Sequence, residues 1–518
     1  MREAGVLLPI TSLPSNYGIG GFTREAYDFI DFLVKSGQSY WQILPMGPTG
    51  FGDSPYQAFS SFAGNPYYIS LDSLIEEGLL TIEECESVDY GRDERAVDYK
   101  KIYSTRLKLL SKAYKREELK NNQDYLDFVG ENVKWLEDYA LFMALKDYFG
   151  GKGWYEWDYD IRVGNPRAKE EYAFRLQSEI GFWKYVQFKF FTQWNRIKEY
   201  ANKRGIKIIG DIPIYVAYDS ADVWSNSALF QLDSEKVPIC VAGCPPDGFS
   251  KKGQLWGNPL YKWELHKESG FKWWIYRLEH SFKLYDVLRI DHFRGFDEYY
   301  SIEYGSKDAT VGEWKKGPGK ELFSAFKERS GKKPVIAEDL GFVTEGVKAL
   351  LDECDFPGMK VFQFAFDKRD TGAKNGYLPH NYGKNCVAYT GTHDNPTIVS
   401  WFFEITDKER ECVRNYLCDK YTPDSEIHLP IIGAVMRSQA QLVIIPIQDY
   451  LGYDSRSRIN KPSTTGTNWQ WRLSNSDLSE ELTKQIYEIT RLSGRANVKS
   501  DDEKSLLNCS NDACKIDI

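Results

Sequence analysis

A chain of 518 residues with 42% hydrophobic and 27% charged residues has the balance of an ordinary globular protein able to bury a large core. Its net charge of −9 offers no basic footprint for nucleic acid or an anionic membrane, and no apolar run approaches the ~18 residues that a membrane span needs. The nine cysteines are scattered and odd in number, which argues against a secreted disulfide framework and reads as reduced thiols in a cytoplasmic protein.

The opening MREAGVLLPI is strand-like from Gly5, so no signal peptide is expected before the fold begins. GVLLPI (5–10) is the first of eight short, near-continuous apolar runs of the kind that parallel strands, buried on both faces, produce. A helix is predicted over 23–37, where Ala26, Phe29, Ile30, Leu33 and Val34 share one face and Gly37 marks the stop. YWQILPM (40–46) follows, then a charged, helix-rich insertion over about 64–205. IKIIGDIPIYV (206–216) precedes a second insertion, about 219–270, with the Gly/Pro-rich loop VAGCPPDGFSKKGQLWGNP. Phe271, Trp274, Ile275, Leu278 and Phe282 form a helical stripe ahead of YDVLRIDHF (285–293), and Leu322, Phe323 and Phe326 form another before Gly331. PVIAEDLG (334–341), GMKVFQFAF (358–366), CVAYTGTHD (386–394) and QLVIIPIQD (441–449) complete the eight.

Strands alternating with helices in this way indicate an α/β protein, a (β/α)8 TIM barrel with large, mainly helical insertions. An open doubly wound sheet is the alternative, but no GxGxxG or Walker sequence marks a nucleotide site. A barrel needs ~250 residues, so about half of the chain lies in insertions. Residues 1–495 read as one catalytic body, and the polar stretch 496–518 as a disordered tail.

Active sites of such barrels lie at the C-terminal ends of the strands. Asp211, Asp291, Glu338 and Asp394 stand at or near that end of four runs, although core strands seldom tolerate a carboxylate. Arg289 shares a strand face with Asp291 and would hold it ionised as a nucleophile. Glu338 follows Val335, Ile336 and Ala337, an apolar setting that would raise its pKa and fit it to donate a proton. Two carboxyls in opposite protonation states are what glycoside chemistry requires. Aromatic content of 15% would suit sugar rings, though a large core uses such residues too. Six histidines without a His-x-His or His-Glu-x-x-His spacing give no metal site, and neither metal nor cofactor is expected.

The segments GDIPIYV, LRIDHFRG, IAEDLG and GTHDNP resemble the four barrel regions of the α-amylase clan, and in detail its 4-α-glucanotransferase branch, the amylomaltases or disproportionating enzymes. FGDSPYQAFSSFAGNPYYI (51–69), CPPDGFSKKGQLWGNPLYKW (244–263), FPGMKVFQFAF (356–366), LPHNY (378–382) and PSTTGTNWQWRL (462–473) are similar to segments of that family in the same order. The resemblance implies Asp291 as the nucleophile, Glu338 as acid and then base, and Asp394 as the residue holding the sugar hydroxyls beside the cleaved bond. It places Arg289, Asp211 and His393 around the same glucose, with Tyr56 stacked on a neighbouring one. Gln254 and Trp256 would cover the acceptor on a loop whose Gly248, Gly253 and Gly257 permit closure, and Asn468 would contact the donor chain. Ile214-Tyr215-Val216 stands where typical amylases have a calcium-binding Asn followed by His, so no structural calcium is expected. The implied partners are α-1,4-glucans (maltooligosaccharides, amylose, glycogen-derived dextrins) and glucose. A hydrolase on the same machinery and a non-catalytic glucan-binding protein are the alternatives, the latter opposed by the intact Asp291, Glu338 and Asp394.

Overall fold

The computed structural model describes residues 2–246, 250–341, 343–366 and 372–497. Gly248 and the expected tail from 498 onward lie outside the described residues. Twelve strands are described: β1 (Glu3–Leu7), β2 (Tyr40–Gln42), β3 (Lys207–Pro213), β4 (Cys240–Cys244), β5 (Gln254–Pro259), β6 (Val287–Asp291), β7 (Glu298–Glu303), β8 (Glu313–Lys316), β9 (Val335–Ala337), β10 (Gly358–Val361), β11 (Cys386–Tyr389) and β12 (Leu442–Pro446).

Eight of them form one parallel sheet in the order β10-β11-β12-β1-β2-β3-β6-β9. The ring closes between β9 and β10, where the Ala337 amide donates to the Pro357 carbonyl at 3.0 Å and the Met359 amide to Asp339 Oδ1 at 2.6 Å. The result is the (β/α)8 barrel, and each of the eight apolar runs supplies one of its strands.

Alternation along the strands decides what faces inward. Leu7, Tyr40, Ile209, Val287, Ile336, Met359, Val387 and Leu442, one from each strand, form a buried layer inside the ring. Their neighbours Ile208, Leu288, Val335 and Val443 join the larger core beneath the helices. Each such aliphatic side chain contributes roughly 1.5–3 kcal/mol when withdrawn from water. Gly210 is required on the outer face of β3, since a Cβ there would fall 2.1 Å from the Tyr285 ring.

The first helix, Arg24–Lys35, buries Ala26, Phe29, Ile30 and Leu33, and the chain turns away through Gly37 at φ 70°. Val34, expected on the same stripe, is 40% exposed at its edge. The insertion between β2 and β3 is built of helices, of which Gln177–Lys203 packs on Val133–Tyr148 through contacts such as Trp135 on Phe191.

A second, antiparallel sheet has the order β5-β4-β7-β8. The Gly/Pro-rich stretch is therefore a β4–β5 hairpin on the flank of the barrel rather than a loop alone. β4 pairs with β7, from Cys240 opposite Glu303 to Gly243 opposite Tyr300. Among the described residues, no helix is long and apolar enough to cross a membrane.

Candidate active site

Continuing the alternation upward from the buried layer reaches the chemistry. On β3 the residue after Ile209 on the same face is Asp211; on β6, Val287 is followed by Arg289 and Asp291; past β9, Ile336 is followed by Glu338. The register sets Asp211 beside Arg289 and Arg289 beside Ile336, so Asp291 and Glu338 come next above them on the same inner faces.

Arg289 is the centre of the cluster. Its Nη1 donates to Asp211 Oδ2 at 2.5 Å and its Nη2 to Asp291 Oδ1 at 2.9 Å. The Arg289 and Asp211 side chains are 3% and 0% exposed, whereas Asp291 keeps 28% of its surface open to the mouth. The Tyr56 hydroxyl donates to Asp211 Oδ2 at 2.7 Å, and its ring stacks on His393 at 5.2 Å. Burial raises the Asp211 carboxyl, with the Arg289 charge opposing it. Removing either partner from such a pair strands a buried charge, a loss of about 3–5 kcal/mol.

Glu338 is gripped by backbone. Its Oε2 accepts from the His292 amide and its Oε1 from the Leu340 amide, each at 2.8 Å. Desolvation and the neighbouring charge of Asp291 push the Glu338 carboxyl up to about 8, against the pull of Arg289 and both amides. It is a group able to be protonated near neutrality and still reside next to a carboxylate. His292, at φ 51° and ψ 50°, is left-handed, and its ring meets the Trp256 indole edge-to-face at 4.7 Å. Desolvation lowers its imidazole to about 4.

Asp394 lies on the loop beyond β11, 44% exposed. Asn460 Nδ2 donates to its Oδ1 at 2.6 Å, Arg458 donates to its carbonyl at 2.6 Å, and His393 Nε2 lies 3.4 Å from Oδ1. On β5, Gln254 and Trp256 share a face, and the indole N–H donates to Gln254 Oε1 at 3.2 Å. Gly253 and Gly257 flank them at φ 66° and 79°. Asn468 turns into its own loop: its Oδ1 accepts from the Lys461 amide at 3.0 Å and its Nδ2 donates to the Thr464 carbonyl at 2.8 Å.

The structure thus brings Asp211, Arg289, Asp291, Glu338, Tyr56 and His393 together, with Asp394 beside them and Trp256 reaching the cluster through His292. Sequence reasoning missed Asn460 and Arg458, which hold Asp394, and Trp469, whose ring lies 5.9 Å from those of both Tyr56 and His393. Only the Trp469 position carried a signal, an aromatic inside the stretch 462–473. Among the described residues, no group of three or more His, Cys, Asp or Glu side chains is arranged to hold a metal ion.

A parallel barrel whose mouth holds one carboxylate on a buried arginine and a second carboxyl poised to carry a proton has the apparatus of a glycoside-processing protein. Residues 8–478 match the glycoside hydrolase 77 family, described as 4-alpha-glucanotransferase, and the chain belongs to that family. The 4-alpha-glucanotransferase of Clostridium butyricum is 48% identical, over 94% of this chain and 99% of its own. That of Streptococcus pneumoniae is 47% identical over 96% of this chain and 98% of its own. The solved amylomaltase of Streptococcus agalactiae, in complex with acarbose, superimposes with a TM-score of 0.92 at 44% identity, covering 96% of this chain and all of that one.

Proposed function

We propose that the chain is a retaining 4-α-glucanotransferase that moves segments of α-1,4-glucan to the 4-hydroxyl of glucose or of another glucan. The observation that carries this reading is the pairing of Asp291 on Arg289 with an amide-held Glu338 raised to about 8. In the first step the Glu338 proton goes to the glycosidic oxygen while Asp291 attacks the anomeric carbon. The C–O bond to the leaving chain breaks, and a β-linked glucosyl ester forms on Asp291. In the second, the Glu338 carboxylate takes the proton of the acceptor 4-hydroxyl, whose oxygen displaces Asp291 and restores the α configuration.

Asp211 and Arg289 form the floor of the donor glucose position, Asp394 and His393 hold its hydroxyls, and Tyr56 stacks on the neighbouring glucose. Gln254 and Trp256 supply the acceptor side. Asn468 acts at one remove, bracing the 461–468 loop that follows Asn460. Acarbose bound to the similar Streptococcus agalactiae amylomaltase supports a glucan-sized cleft. Residues 1–495 form one catalytic body in this reading, with the insertions 64–205 and 219–270. Pairing of β1 with β12 and the Arg495 hydrogen bond to the Glu3 carbonyl at 3.0 Å support it. The free thiols of Cys85, Cys354 and Cys386 fit a reducing compartment and support the cytoplasm.

Incubation with maltotriose tests the reaction. A ladder of longer maltooligosaccharides with glucose is expected; maltose and glucose alone would assign a hydrolase on the same site.

A further inference from the structure

We infer that His292 is a positioning residue through which the β4–β5 hairpin holds Glu338 in place; this rests on the reading of Glu338 as proton donor and acceptor. β6 ends at Asp291, and the next residue leaves the extended conformation for φ 51°. A side-chain-bearing residue adopts that backbone only where surrounding contacts hold it there. The turn has a direct product: it aims the His292 amide at Glu338 Oε2, 2.8 Å away, and lets the Phe293 amide reach the Glu338 carbonyl at 3.0 Å.

The contacts that hold His292 come chiefly from the acceptor side. Its imidazole meets the Trp256 indole at 4.7 Å and 81°, with Tyr215 at 6.5 Å on the same flank. Trp256 is itself fixed by Gln254 and by the Tyr215 ring, 6.2 Å away. Gly295 packs beneath this group, where a Cβ would fall 2.8 Å from Ile214 Cδ1 and 3.2 Å from the Tyr215 hydroxyl. One half-buried residue therefore touches the hairpin with its side chain and the proton-transfer group with its backbone. An acceptor sugar engaging Trp256 acts on Glu338 through this residue, at the step where Glu338 must receive the acceptor's proton.

The charged and titratable groups facing Glu338 are Asp291 and Arg289 from β6 and Tyr377 from across the mouth; those facing His292 are Asp291 and Arg294. An amide bonded to a carboxyl favours its charged form, so loosening the His292 amide raises the pH at which Glu338 loses its proton. The experiment compares full-length wild type with His292→Gly, His292→Asn, Trp256→Ala and the His292→Gly/Trp256→Ala double variant. Glycine frees the backbone and asparagine tolerates the left-handed turn, and both lack the ring. The readouts are the alkaline limb of kcat/KM against pH on maltotriose and the initial rate of fluoride release from α-maltosyl fluoride as Asp291 attacks it.

The His292 variants should move that limb upward by about half a pH unit or more, the worth of one amide hydrogen bond. Trp256→Ala should move it the same way, and the double variant no further than the larger single change, the signature of one shared path. Fluoride release in the His292 variants, which needs little proton donation, should change less than about twofold. A limb at its wild-type position in both folded His292 variants, or shifts that add in the double variant, would overturn the inference. Absence of label on Asp291 in a Glu338→Gln enzyme given the same fluoride, where the second step is blocked, would instead overturn the parent reading.

Discussion

The two sides of the catalytic cleft are built by different means. Asp211, Arg289, Asp291 and Glu338 stand on or just past three hydrogen-bonded strands, and their mutual positions follow from strand register. Asp394 stands on a loop, held by Asn460 and Arg458 from a second loop, and Trp256 reaches the site from a hairpin outside the barrel. The strand-borne side carries the bond-breaking groups and a buried arginine whose loss threatens the fold. The loop-borne side carries the groups that embrace sugars, where a lost contact weakens binding but leaves the core intact. Strength of positioning goes with chemistry, and adjustability goes with recognition.

Substitutions on the two sides should therefore differ in kind. Asp291→Asn should lower transfer from maltotriose by on the order of 10⁴-fold or more while the melting temperature stays near wild type, since shape and the Arg289 contact survive. Wild-type turnover by that variant would remove Asp291 from its role. Arg289→Leu should abolish activity and also destabilise by about 3–5 kcal/mol, because Asp211 is left buried without its partner. An unchanged melting transition there would break the contrast between the two sides.

Glu338→Gln should lose ~10²–10⁴ in rate on maltotriose yet accumulate a glucosyl ester on Asp291 when supplied with a glucosyl fluoride, visible by mass spectrometry. Asn460→Ala, on the loop side, should reduce kcat/KM roughly tenfold through a misplaced Asp394, with stability altered by less than about 1 kcal/mol. Smallest of all, Trp256→Ala should raise the acceptor's KM a few-fold, by about 1 kcal/mol of lost stacking, and increase the share of intermediates lost to water. If the ratio of free reducing ends to chains transferred stays at the wild-type value, the hairpin does not form the acceptor's platform.

The strand-borne side is legible in the sequence for the reason that makes it rigid. Near-continuous apolar runs identify strands buried on both faces, and a period of two then states which residues share the inner face with a carboxylate. That logic pairs Arg289 with Asp291 from their spacing alone. The antiparallel sheet escapes it, because β4 is a short run with a glycine and no alternation, β5 is broken by Gly257 and Pro259, and β8 is exposed along its length, so no period of two marks them. Asn460 and Arg458 escape for another reason: they act by hydrogen bonds from one loop to another, 64 or more positions away in the chain, and their own neighbourhoods carry no pattern. The left-handed turn at His292 is likewise set by packing, since such backbone is uncommon for any residue but glycine, even for histidine, which tolerates it better than most.

The four-stranded sheet has a consequence for engineering acceptor preference. The hairpin bearing Gln254 and Trp256 is laced along β4 to β7, and β7 departs from the nucleophile strand after a single short turn, Phe293–Phe296. Transplanting residues 240–259 alone into a relative would leave Cys240–Gly243 seeking a partner strand shaped for a different sequence. Residues 240–259 and 298–316 are one cassette cut in two by the chain, and a graft that alters which sugar is accepted must carry both pieces.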